Sequence, residues 1–394
     1  MLLGLVGKPS CGKSTFFKAA TLAEVEIASY PFTTIKPNTG VGYVKVDCLD
    51  KEFGVKCNPS HGFCINSKRF VPIQIMDVAG LVPGASEGKG LGNQFLDDLR
   101  KADAFIHIVD MSGTTDSEGK SVEDHDVAED IKFLEEELNS WYYNILTKVW
   151  KSFARKAEIE KQNFAEAVEK QFSGLKVTED NVKQVILKIG FSNKPSTWDE
   201  EQLREFAKQL RKISKPMIIA ANKMDMEKST ENYEKIKMQF PGLIIIPCSA
   251  DSELALREAT KAGLIDYIPG EDNFTIKGNL NEKQKLALDK IKENILDKFE
   301  HGTGVQFILN SAIFDLLKYI AIFPAGASKL ADSKGNVLPD CFLLPEGSTA
   351  LDFAYYLHTD FGKNFIKAID ARSKRILGKD HLLKNRDALE IVTR

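Results

Sequence analysis

The chain has 394 residues, of which 43% are hydrophobic and 28% charged, and its net charge is -3. That length exceeds what one core usually serves, so two or three domains are expected. The balance is that of a globular protein and excludes a fibrous or disordered chain; the small net charge excludes a polycation, so any nucleic-acid contact has to come from a local patch. Six cysteines over this length do not form a disulfide scaffold, and reduced thiols in a cytosolic protein fit better. No apolar run approaches the roughly 20 residues of a membrane helix, and the apolar N-terminus is too short for a signal peptide. A soluble, cytoplasmic protein is expected.

In chain order, residues 2–6 read as a short buried strand, 7–14 as a loop and 15–22 as the opening of a helix. Further apolar runs at 40–46, 70–76, 105–110, 216–221 and 243–247 read as strands. Strands separated by helical segments predict an α/β domain, a mostly parallel sheet with helices on both faces. Residues 139–213 differ, being rich in Lys, Glu and Gln. There Phe164, Val168 and Phe172, then Val182, Val185, Ile186 and Ile189, repeat at helical spacing, with Gly190 as a stop. Thr197 with Glu200 reads as a capping box ahead of Leu203, Phe206 and Leu210. This predicts two or three amphipathic helices inserted between sheet strands, either a solvated excrescence or a partner-binding arm. Residues 281–300 read as a linking helix. From 317 a small α+β unit follows, with strands at 319–324 and 341–344 and a helix at 348–358 capped by Ser348 or Thr349. The expected division is 1–138 and 214–316 for the nucleotide domain and its linker helix, 139–213 for the helical insertion and 317–394 for the terminal unit.

Gly7-Lys8-Pro9-Ser10-Cys11-Gly12-Lys13-Ser14, followed by Thr15, fits a phosphate-binding loop, with a strand before it and a helix after it. The glycines let backbone N–H groups converge on phosphate oxygens, Lys13 supplies a cation between the β- and γ-phosphates, and Ser14 offers a hydroxyl to Mg²⁺. Asp77-Val78-Ala79-Gly80 ends the run at 70–76. Asp77 is placed to hold a magnesium water, and the N–H of Gly80 to approach the γ-phosphate. Between these motifs, Thr33 and Thr34 in Tyr30-Pro31-Phe32-Thr33-Thr34 can close over Mg²⁺; Thr34 is the expected ligand.

Asn222-Lys223-Met224-Asp225 follows the run at 216–221. The carboxylate of Asp225 can accept from guanine N1–H and the exocyclic amino group, donors that adenine lacks at those positions. Asn222 would tie this loop to the phosphate loop, and the stem of Lys223 would lie along the base. Cys248-Ser249-Ala250 ends the next run, where the N–H of Ala250 could meet guanine O6. Four motifs stand in order at the C-terminal ends of strands, where open α/β sheets bind ligands. They point to GTP or GDP with Mg²⁺.

These residues resemble the Obg/YchF family of P-loop GTPases. The likeness is carried by Tyr30–Thr34 with Pro37-Asn38, by Asp77 to Ala85, and by the glycine-rich run from Glu87 to Leu96. It covers nearly the whole chain. It implies that the insertion is the helical arm of the YchF branch. It also implies that Leu344-Pro345-Glu346-Gly347-Ser348-Thr349 opens a TGS domain, a ubiquitin-like β-grasp module of translation-linked proteins. YchF members alter the base-reading motif and prefer ATP; here the guanine-reading form stands, so the resemblance is to a GTP-reading branch. Leu81 occupies the position of the water-orienting glutamine of Ras-like proteins, and Gln94 is a distant substitute. Slow intrinsic hydrolysis is therefore expected, with Lys13, Thr34 and Gly80 serving the γ-phosphate. Ser10 stands where some GTPases with this hydrophobic replacement carry a K⁺-recruiting Asn.

Two clusters remain. Cys48, Cys57, His61 and Cys64 lie within 17 residues, a donor set suited to Zn²⁺, but gaps of eight, three and two residues match no regular finger, which favours scattered thiols. Between Lys363 and Arg386 eight Lys or Arg stand against two Asp; such a patch gives salt-sensitive phosphate affinity. With the TGS resemblance, it predicts a ribosome or RNA partner. An ATPase of the same build, and a nucleotide-gated protein-binding module, are the rival readings.

Overall fold

The computed structural model describes residues 1–22, 38–78, 80, 99–191, 194–326, 329–332 and 334–394. Thr33, Thr34, Leu81 and Gln94 lie outside the described residues, as does the glycine-rich run from Glu87 to Leu96.

The main sheet contains Leu2–Val6 (β1), Thr39–Asp47 (β2), Phe63–Ile65 (β3), Lys68–Asp77 (β4), Ala104–Asp110 (β5), Met217–Asn222 (β6) and Ile245–Pro247 (β7). Its order is β2-β4-β1-β5-β6-β7, with β3 on β4. β4, β1, β5, β6 and β7 run parallel, and β2 and β3 are antiparallel to β4. All seven residues of β5 are buried, as expected of a parallel strand covered on both faces. The helix Lys13–Thr21 packs Phe16, Ala19 and Ala20 inward, directly after the phosphate loop. A hairpin of Ile265–Tyr267 (β8) and Phe274–Ile276 (β9) packs with Leu256 of the helix Ala250–Lys261.

The insertion holds more helices than periodicity suggested. Val127–Thr147 runs from the sheet layer into it without a break, and Trp150–Ile159, Phe164–Gln171, Glu179–Ile189 and Glu200–Ser214 follow. These bury an aromatic cluster: Trp150 stacks on Trp198 at 5.5 Å and lies 5.5 Å from Phe206. The cap of Glu200–Ser214 is Asp199, boxed with Gln202, not Thr197 with Glu200. Pro195–Thr197 forms a 3₁₀ turn in which the Thr197 hydroxyl donates to Lys194 O, so that side chain is committed one turn too early. Gly190 does end its helix, in the left-handed conformation. The expected linking helix is Glu282–Ile291, continued by a π-helical turn at Lys292–Leu296.

The C-terminal sheet has the order β11-β10-β14-β12-β13, from Tyr319–Pro324 (β10), Phe342–Pro345 (β11), Phe365–Asp370 (β12), Ile376–Leu377 (β13) and Ala388–Thr393 (β14). The helix Ala350–Leu357 packs on it, capped by Thr349 boxed with Asp352. β10 serves two cores through its period of two. Ala321 and Phe323 pack with the core around Leu5, Val44 and Ile308, while Ile320 and Ile322 pack with Phe353 and Leu389. Among the described residues, no helix is long and apolar enough to cross a membrane.

Candidate nucleotide site

β1, β4, β5, β6 and β7 all end on one edge, and the motifs gather there. Gly7 (φ 148°) and Gly12 (φ 97°) hold backbone conformations that a side chain would strain. Space forbids one as well: a Cβ on Gly7 would sit 2.5 Å from Ile108 O, and one on Gly12 2.3 Å from Asn222 Nδ2. Lys13 is buried and donates to Gly7 O (3.0 Å) and Lys8 O (2.6 Å), so its ammonium caps the loop's own carbonyls. The Ser14 hydroxyl donates to Asp77 Oδ2 at 2.9 Å. Two hard oxygen donors from segments 63 residues apart therefore meet at one point, a donor pair that suits Mg²⁺. Pro9 lies under Gly80, where a Cβ would come within 3.0 Å of it.

The base-reading motifs are cross-linked. Asn222 Nδ2 donates to Cys11 O (3.0 Å), and Asn222 Oδ1 accepts from the N–H of Ala250 (3.0 Å) and the thiol of Cys248 (3.6 Å). The predicted tie between the loops is thus present, and the N–H of Ala250, expected to face the base, is engaged by Asn222. The Ser249 hydroxyl donates to Asp225 Oδ1 at 2.7 Å and caps the helix Ala250–Lys261. Lys223 stands in the left-handed region (φ 65°) and pairs with Asp110 Oδ2 at 2.7 Å. Burial alone would raise the Asp110 carboxyl. Hydrogen bonds from Lys223, Ser112 and Thr115 outweigh it and hold that group below its ordinary range.

Some of this framework gave no local signal in the sequence. Lys8, inside the phosphate loop, is 3% exposed and pairs with Asp130 Oδ2 (2.7 Å) on the helix Val127–Thr147, while also donating to Thr115 O (2.6 Å). Its turn continues to Gly119, where a Cβ would come within 2.7 Å of Pro9. His107 on β5 is fully buried; burial first, then the nearby Lys13 and Lys8, lower its pKa to about 3, so it is neutral. Arg257 joins the base-reading helix to the end of the phosphate-loop helix, pairing with Glu253 (2.6 Å) and donating to Leu22 O (3.0 Å).

The cysteine cluster assembles without its histidine. Cys48, Cys57 and Cys64 converge with Asp50, whereas His61 Nδ1 pairs with Asp340 at 2.6 Å. The basic patch is also partly committed: Arg372 bonds Glu52, and Arg386 donates to Asp47 O, both on the main domain.

Comparison with known proteins agrees with this geometry. Family models match as a 50S ribosome-binding GTPase over residues 2–148, as an Obg-like GTPase YGR210-like, G4 motif-containing domain over 220–326, and as a TGS domain over 333–393. A GTP-binding protein of Methanocaldococcus jannaschii is 50% identical, over 100% of this chain and 99% of its own. The ribosome-binding ATPase YchF of Bacillus subtilis is 29% identical, over 93% of this chain and 87% of its own. The crystal structure of a GTP-binding protein from Pyrococcus horikoshii superposes with a TM-score of 0.80 at 40% identity, covering both chains in full. The chain is a member of the Obg/YchF family of P-loop GTPases, on a branch with a guanine-type base-reading motif and a C-terminal TGS domain.

Proposed function

We propose that this protein is a guanine-nucleotide switch that binds GTP with Mg²⁺, hydrolyses it slowly without help, and engages ribosomal or other RNA in a nucleotide-dependent way. The observation that carries the reading is the aim of Asp225. Its carboxylate is held by Ser249 at the mouth of β6, in a loop that Asn222 fastens to Cys11. A carboxylate fixed there pays for its desolvation only if a base offers two donors, which guanine does and adenine does not. Ser14 and Asp77 would hold the cation, directly and through water, and Lys13 would leave its two carbonyls for the phosphates. Thr34 and the N–H of Gly80 would complete the γ-phosphate contacts, and Leu81 leaves no side chain to orient water. The TGS domain contributes Lys363, Lys374, Arg375, Lys379 and Lys384 as exposed cations, and the YchF relatives are ribosome-binding by name.

Titration calorimetry with GTP, GDP and ATP tests the first part; ATP binding as tight as GTP would overturn it and favour the ATPase reading. Single-turnover hydrolysis should fall within about 10⁻⁴–10⁻² s⁻¹. Co-sedimentation with ribosomes should depend on the bound nucleotide and weaken with salt and with Lys363→Glu/Lys379→Glu/Lys384→Glu. Pelleting that ignores all three variables would remove the partner from the proposal.

A further inference from the structure

The cluster at the far end of β2 has no part in nucleotide chemistry. One ligand atom each from Cys48, Asp50, Cys57 and Cys64 lies within 4.8 Å of every other. They come from four places: the end of β2, the turn after it, the loop beyond and β3. The cysteines are free thiols. Asp50 is buried, and among the described residues its Oδ2 has only the thiols of Cys57 (3.6 Å) and Cys64 (3.9 Å) as donors. Thiols donate weakly, so this carboxylate oxygen is poorly compensated as it stands. Arg69 is wholly buried, with Nη2 3.8 Å from Cys48 Sγ, and among the described residues its Nε and Nη1 have no hydrogen-bond partner. A buried guanidinium with spare donors is a second under-compensated group beside this cluster.

We propose that Cys48, Asp50, Cys57 and Cys64 form a structural zinc site, with Asp50 rather than His61 as the fourth ligand. Three thiolates and one carboxylate are a tetrahedral donor set for Zn²⁺. Sulfurs around zinc stand about 3.8 Å apart for Zn–S bonds of about 2.3 Å, so closing the present cluster requires contractions of about 1 Å. Binding releases the thiol protons, so occupancy falls on acidification. Four protein ligands leave no open position, which makes the site structural rather than catalytic. The negative charge left on the filled site would be offset by Arg69, whose Nη2 lies 3.8 Å from Cys48 Sγ.

The location supplies a purpose. The loop between Cys57 and Cys64 is the platform on which the segment joining β10 to β11 of the C-terminal sheet docks. Asn58 N donates to Val337 O (2.8 Å), Ser60 N to Pro339 O (2.7 Å), and Asn58 Nδ2 to Asn336 Oδ1 (2.9 Å), while Arg69 Nη2 donates to Leu338 O (2.7 Å). Zinc would fix this loop and so hold the TGS domain against the nucleotide domain.

The test uses the full chain purified without chelator and reconstituted with zinc sulfate, with elemental analysis as the first readout. One zinc ion per chain is expected, with none retained by Cys57→Ser/Cys64→Ser and full retention by His61→Ala. Cobalt-substituted wild-type protein gives a readout that needs no variant: thiolate-to-cobalt charge-transfer bands and intense tetrahedral visible bands. Stripping the metal should lower the melting temperature and zinc should restore it. Wild-type protein that takes up no zinc, cobalt bands without thiolate character, or zinc lost in His61→Ala but kept in Asp50→Ala would each overturn the proposal.

Discussion

The two ends of the nucleotide site are prepared to different degrees. At the base end the groups that would read guanine are already held: Asn222 spans Cys11 and Ala250, and Ser249 restrains Asp225. At the phosphate end the working groups are engaged with the protein itself, Lys13 with the carbonyls of Gly7 and Lys8 and Ser14 with Asp77. The first arrangement favours selectivity, because a rigid acceptor loses little entropy on binding and rejects a base that leaves it unpaired. The second makes cation and phosphate capture an exchange of existing hydrogen bonds for new ones. On the proposed function, recognition is built in, whereas the reaction has to be assembled.

Experiments can break this contrast, and the largest effect should come from Asp225→Asn. Two charge-assisted hydrogen bonds are lost, so GTP affinity should fall about 10³-fold and xanthosine triphosphate should bind instead. An unchanged preference in nucleotide competition would end the claim that the base end is the selective one. Lys13→Ala comes next, with GTP affinity reduced about 100-fold by the loss of charged contacts. The fold should persist in circular dichroism, since the carbonyls it now caps can turn to water.

Gly12→Ala probes the joint between the ends. Its Cβ would collide with Asn222 Nδ2, and its φ is left-handed. A loss of about 1–3 kcal/mol is expected from strain, seen as a lower denaturation midpoint together with weaker GTP binding. An unaltered midpoint would mean that the two ends are not mechanically joined there.

A smaller effect concerns pH. His107 has a folded-state pKa lowered to about 3 from 6.5. Both states are neutral at this residue above 6.5, so it adds no slope there. As pH falls below 6.5 the unfolded chain takes up a proton that the folded one refuses, so stability is lost down to about pH 3. The slope is at most about 1.4 kcal/mol per pH unit. His107→Gln should flatten the urea-midpoint profile in that window, and an unchanged profile would refute the assignment. The smallest effect is expected for Arg372→Ala, which removes a half-exposed pair with Glu52; about 1 kcal/mol or less should be lost, read as faster hydrogen exchange where the C-terminal sheet meets the main domain.

The motifs of the nucleotide site were legible because each is a contiguous string whose chemistry is set by spacing of a few residues. Asp77 at the end of β4 and Asn222 at the end of β6 stand where those strings placed them. Pairings across large separations were not legible. Lys8 reads as a variable loop position until Asp130 is seen beside it, and nothing in the string around Lys223 announces the pairing of its ammonium with Asp110. The helix cap falls at Asp199, two residues after the Thr197 that opens a Thr197–Glu200 string satisfying the same pattern; what separates them is Trp198, drawn into the aromatic cluster. The cysteine group shows the same limit, since His61 is nearer in sequence to Cys64 while Asp50 is nearer in space.

The helix Val127–Thr147 links Lys8 with the insertion, and its 21 residues make a rod about 30 Å long. Its first turn is tethered by Asp130 to the phosphate loop, and its last two turns lie among the insertion's aromatic rings. A tilt of about 5° about that tether would carry the far end, and the insertion packed on it, by about 3 Å. A displacement of Lys8 on phosphate binding is predicted to reach the insertion enlarged by this length. A spin-label distance between the insertion and the sheet, compared with GTP and with GDP, would measure that gain directly.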